Sequence, residues 1–108
     1  MANVECKNAQ EARDLLRHCL DEGRIRPSRH FFDELANEKL DLEDAIAVLR
    51  AGQVLEGPDQ DPKTLEWKWK VEGREPGGKW IVIVVVFKTV DLAKLITVFE
   101  IGLRRIYS

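Results

Sequence analysis

The run Trp80-Ile81-Val82-Ile83-Val84-Val85-Val86-Phe87 is the longest unbroken apolar stretch of the chain. Its β-branched residues are restricted at χ1 and suit a pleated sheet better than a helix. An apolar run with no polar alternation predicts a central strand covered for most of its length. Just upstream, Thr64 to Glu72 does alternate: Leu65, Trp67, Trp69 and Val71 point one way, and Glu66, Lys68, Lys70 and Glu72 the other. That pattern is a strand with Trp67 and Trp69 packed against the rest of the protein. Glu75-Pro76-Gly77-Gly78 reads as the turn between the two strands. Val90-Asp91-Leu92-Ala93 reads as a second turn, and Leu95 to Phe99 as the last strand. Gln53 to Glu56 adds a short strand, followed by the breaker-rich loop Gly57-Pro58-Asp59-Gln60-Asp61-Pro62.

Upstream of Gln53 the hydrophobic period is helical. Asn8 is placed to cap a first helix, with Glu11 three residues on, and Ala9, Ala12, Leu15, Leu16, Cys19 and Leu20 form its apolar stripe. Gly23 ends it, and Arg24 to Pro27 reads as a connector. Ser28 caps a second helix with Phe31, Phe32 and Leu35 inward. Asp41 caps a third, whose apolar face is Leu42, Ala45, Ile46, Val48 and Leu49 and which stops at Gly52. The expected fold is α+β: about three N-terminal helices packed on one face of a three- to four-stranded antiparallel sheet. A single domain over residues 1–108 is expected, with a helical part at 8–52, a sheet part at 53–100 and a tail at 101–108. The tail reads as a short helix carrying Arg104 and Arg105.

Composition sets outer limits. A chain of 108 residues, 44% hydrophobic and 33% charged, is neither disordered nor low-complexity. It is large enough to fold without a disulfide or a metal. Cys6 and Cys19 make no disulfide framework. The residues after Met1 lack the basic and apolar regions of a signal peptide, and no run is long enough for a membrane helix, so a cytoplasmic protein is expected. The net charge of −2 is unevenly spread: residues 1–62 hold 8 basic and 14 acidic residues, a balance of −6, and residues 63–108 hold 9 and 5, a balance of +4. Such asymmetry suits either a nucleic-acid face or an ordinary charged surface.

Several chemistries find no motif. There is no dinucleotide or phosphate-binding glycine loop, since Lys79 is followed by Trp80 instead of Ser or Thr. Cys6, His18, Cys19 and His30 lack metal-ligand spacing, so neither metal nor other cofactor is expected. Cys19 sits on an apolar stripe and reads as core; His18 reads as a surface residue spaced to pair with Asp14.

One constellation carries chemistry. Ser28-Arg29-His30 opens a helix, where unpaired N–H groups and the helix dipole favour an anion and a neutral imidazole. His30 there can act as a general acid or base beside a phosphate. It is equally spaced to pair with Glu34 and do nothing else. Lys68 and Lys70 share a strand face, and Lys79 and Lys88 bracket the next strand. With Arg29 they form a candidate set for an RNA backbone, or else a solvated face that deters edge pairing.

The rhythm from Ser28-Arg29-His30 through Leu42-Glu43-Asp44-Ala45-Ile46-Ala47-Val48-Leu49-Arg50-Ala51-Gly52 to Leu95-Ile96-Thr97-Val98-Phe99-Glu100 resembles a family of small bacterial domains of unknown function. That family in turn looks like the RelE/ParE toxin superfamily and the MqsR-type toxins. The resemblance implies a curved antiparallel sheet and a toxin held in check by a cognate antitoxin, either a ribonuclease that cuts messenger RNA without a metal or cofactor or a toxin that acts on gyrase. It places His30 as the catalytic residue, with Tyr107 as a candidate C-terminal aromatic. Where such relatives often continue with an Arg, this chain has Asp33-Glu34, and its net charge is acidic where active members tend to be basic. A non-catalytic protein- or nucleic-acid-binding module of the same fold, and an immunity-like interaction protein, are the competing readings.

Overall fold

The computed structural model describes residues 4–102. Its elements in chain order are α1 (Ala9–Asp21), β1 (Arg24–Pro27), α2 (Arg29–Asn37), α3 (Leu42–Ala51), β2 (Gln53–Val54), β3 (Asp59–Gln60), β4 (Trp67–Arg74), β5 (Trp80–Thr89) and β6 (Leu92–Gly102). The α+β class and the three helices agree with expectation, and β5 is central. The sheet differs. It has six strands, ordered β1-β6-β5-β4-β2 with β3 also on β4, and it is mixed because β1 runs parallel to β6.

Each helix starts at the residue whose side chain frees it from an orphan N–H. The Asn8 side chain accepts from Glu11 N, Ser28 from Phe31 N, and Asp41 and Asp44 exchange the two bonds of a capping box. Their apolar faces meet one side of the sheet. Ala12, Leu16 and Cys19 of α1, Phe31 and Leu35 of α2, and Ala45, Val48 and Leu49 of α3 join Trp69, Val71, Ile81, Ile83, Val85, Phe87, Leu95 and Val98 in a single core. Cys19 is core, as read from the sequence, and burial pushes its thiol up to about 11.

Four expectations about the strands are corrected. Arg24 to Pro27 is a strand, not a connector; Ile25 between the two arginines packs on the core while its backbone pairs with Ala93. Leu65 is exposed with φ at +63°, outside β4, because Asp61 builds a turn there: its carboxylate accepts from Lys63 N and Thr64 N, and its carbonyl from Leu65 N. β6 starts already at Leu92, so the turn before it is shorter than expected. Ile101 and Gly102 close β6 instead of opening a helix. Arg104, Arg105 and Tyr107 lie outside the described residues. Among the described residues, no helix is long and apolar enough to cross a membrane.

Candidate functional site

Registers across the sheet define its second face, which no described helix covers. One row is Arg26 of β1, Lys94 of β6 and Val86 of β5. The next is Thr97, Val84 and Lys70 of β4. A third is Phe99, Val82 and Glu72. The valines are buried, forming an aliphatic strip down the centre, and the flanking residues are half-buried or exposed.

α2 borders this face. Ser28 ties its N-terminus to β6: the Ser28 N–H donates to Leu95 O at 2.9 Å, and its hydroxyl donates to Ile96 O at 3.1 Å. β1 ends at Pro27, and one turn later the helix takes over the edge of β6, where Glu34 Oε1 accepts from Val98 N at 3.1 Å and from the Thr97 hydroxyl. His30 Nε2 lies 3.2 Å from the same oxygen. The carboxylate is mostly shielded and the imidazole is 68% exposed. A carboxylate fixed by two donors orients the ring, leaving its free edge toward solvent.

The predicted phosphate ligands are distributed differently. Lys68 pairs with Asp61 at 3.1 Å, Lys70 with Asp59 at 3.5 Å, and Lys88 with Glu66. These three share the corner made by β3, β4 and the end of β5. Lys79 does not join them. It sits before β5 and donates to the carbonyl of Glu38 at the C-terminus of α2, 2.5 Å away. Ten residues of β5 hold Lys79 and Lys88 about 30 Å apart. Nine residues of α2 place Lys79 about 13 Å from the His30 end. Arg29 is exposed at the start of α2. Of the predicted lysines, Lys70 is in the same cross-strand row as Thr97, with Val84 between them.

Two cations not singled out in the sequence lie on the strands that lead into and run beside α2. Arg26 and Lys94 are direct partners on adjacent strands, next along β6 to Thr97. Like charges side by side in a sheet repel. Neither has a carboxylate within ion-pair distance among the described residues, unlike Lys68, Lys70, Lys79 and Lys88. The period-two pattern Arg24-Ile25-Arg26 was the signal for this strand, but Lys94 beside Arg26 is visible only in the folded chain.

His18 is a surface residue as expected, but its partners are Asp91 Oδ1 at 2.7 Å and Glu22 at 3.4 Å, not Asp14, which accepts from Gln10. A recess lined by Glu5, Cys6, Lys7, Pro58 and Trp67, and another lined by Arg17, Leu20, Asp21 and Arg50, include neither His30 nor the predicted lysines. Among the described residues no three His, Cys, Asp or Glu side chains are grouped to hold a metal ion.

A family described as a domain of unknown function, DUF4258, matches residues 28–100. The chain belongs to the DUF4258 family. The DUF4258 segment begins at Ser28, the cap of α2, and ends within β6, so it contains His30, Glu34, Lys94 and Thr97 and leaves out α1 and β1. No curated protein and no solved structure matches the chain.

Proposed function

We propose that this DUF4258 protein is a toxin-like domain that acts on RNA, with the sheet face that no described helix covers meeting the nucleic acid and His30 moving the proton. The observation that carries the reading is the juxtaposition at one sheet edge of an exposed imidazole, a carboxylate anchored to β6, and the cations Arg26 and Lys94 that no described acid neutralises. In the reaction this suits, the ribose 2′-oxygen attacks phosphorus as the bond from phosphorus to the 5′-oxygen breaks. The 2′-hydroxyl proton leaves to a base and the 5′-oxygen gains one from an acid, giving a 2′,3′-cyclic phosphate and a 5′-hydroxyl. His30 is suited to either proton, and Glu34 holds its ring in place. Lys94 and Arg26 offset the charge that builds on the phosphate oxygens. A neutralising partner protein would act by covering this face.

A second reading, a binding module without catalysis, is favoured by the carboxylate partners of Lys68, Lys70, Lys79 and Lys88, which leave these lysines little excess charge for a phosphate. Induced expression of wild type, His30→Ala and Glu34→Gln, followed by growth curves and total RNA profiles, separates the two. Growth arrest with RNA cleavage by wild type, abolished in His30→Ala and reduced in Glu34→Gln, supports the nuclease. Intact RNA with wild type, alongside RNA binding by the purified protein, assigns the module.

A further inference from the structure

The sheet face that no described helix covers is chemically divided along its length. At one end lie Arg26 and Lys94; two rows on, Phe99 of β6 lies beside the buried Val82, with half-buried Glu72 of β4 next and Gln53 of β2 beyond it. Phe99 is 39% exposed. The other exposed large apolar residues, Phe32, Leu65 and Val90, lie on a helix and in turns, not on this face. Phe99 is thus a partly exposed aromatic beside an aliphatic strip. Strand rise puts Phe99 roughly 13–16 Å from Lys94, a span of a few nucleotides.

The two ends call for different parts of one ligand. Arg26 and Lys94 call for phosphates. Phe99 calls for a planar apolar group at a fixed offset from those phosphates. Paired bases in a duplex hide their faces in the stack, and only a single strand presents backbone charge and free base faces together. We infer that the face takes single-stranded RNA, with a base stacked on Phe99 and neighbouring phosphates on Lys94 and Arg26. This rests on the reading that the face meets RNA, and it adds the strandedness of the substrate and the residue that selects it.

The test is fluorescence anisotropy with a labelled single-stranded oligoribonucleotide, the same sequence as a duplex, and heparin as a competitor without bases. The proteins are wild type, Phe99→Ala, Phe99→Trp and Lys94→Glu, each checked for native fold by circular dichroism. Wild type is expected to prefer the single strand to the duplex. Phe99→Ala should lose at least about fivefold in affinity for the single strand and leave duplex and heparin binding unchanged, while Phe99→Trp keeps it. Lys94→Glu should weaken all three ligands. Equal affinity for single strand and duplex, with no response to Phe99→Ala, overturns the stacking inference, and the RNA reading survives if Lys94→Glu still weakens binding. Absence of binding to every nucleic acid overturns both. Unchanged RNA affinity in Phe99→Ala, with an altered elution volume on gel filtration, assigns Phe99 to a protein contact and overturns the inference as well.

Discussion

His18 shows how much a single surface side chain can tie together here. It leaves the last turn of α1, and its Nε2 lies 2.7 Å from Asp91, in the turn between β5 and β6. The hydrogen bond to Asp91 and the charges of Asp91 and Glu22 raise its pKa above the ordinary histidine value, against a smaller opposing effect of desolvation. A raised pKa in the folded state means that the folded protein holds the proton more tightly than the unfolded chain. The contribution to stability is therefore complete below the unfolded value, about 6.5, and disappears as pH rises through the folded value. Urea midpoints measured from pH 5.5 to 8.5 should fall for wild type across that interval more than for His18→Ala. Parallel curves would remove His18 from the pH response. The spacing in the chain suggested Asp14 for His18, and Glu22 stands at the same spacing on the other side, but Asp91 is brought close only by the fold.

At the scale of elements, the junction between α1 and β1 decides whether the basic edge exists. Gly23 lets the chain approach the turn before β6: a Cβ there would stand 2.3 Å from Asp91 O, a backbone atom that cannot swing aside. The neighbouring Arg24 N–H donates to that same oxygen at 2.7 Å. Gly23→Ala should therefore push β1 off β6, at a cost of about 1–3 kcal/mol in chemical denaturation. Amide exchange should be faster in Ile25 and Arg26 than in β5. Helices of this protein were legible in its sequence because their information is local: Asn8, Ser28 and Asp41 mark the starts, and the apolar period marks the faces. The β4–β5 hairpin was legible for the same reason. β1 was not, because four residues ending in proline carry little strand signal and its partner lies near the other end of the chain. The candidate site divides the same way. His30 beside Glu34 could be read from helical spacing, whereas Thr97, Val98, Lys94 and Arg26 were joined to them only by long-range pairing. The lysines chosen by strand face were located on their strands, but their carboxylate partners were not evident from alternation alone.

At the scale of the whole molecule, an acidic chain presents a local excess of positive charge at one sheet edge. Overall charge of −2 works against non-specific attraction to RNA, so on the proposed reading the edge has to supply the binding. Affinity for a single-stranded oligoribonucleotide should fall with salt. Replacing both Arg26 and Lys94 by glutamine should make the slope of log affinity against log salt shallower by about 1.4, the value for two phosphate contacts on a single strand. An unchanged slope would place the phosphates elsewhere.

The pairing of β1 with β6 also sets an order in time. A chain made from its N-terminus presents Arg26 early, yet residues 24–27 find their partners only when residues 92–95 have been made. All three helices and β2 to β5 precede that moment. A translation product stopped short of β6 would lack Lys94, Thr97 and Phe99, and Arg26 would have no neighbouring strand. The edge proposed to bind RNA is thus completed only once the strand that pairs with β1 has been made.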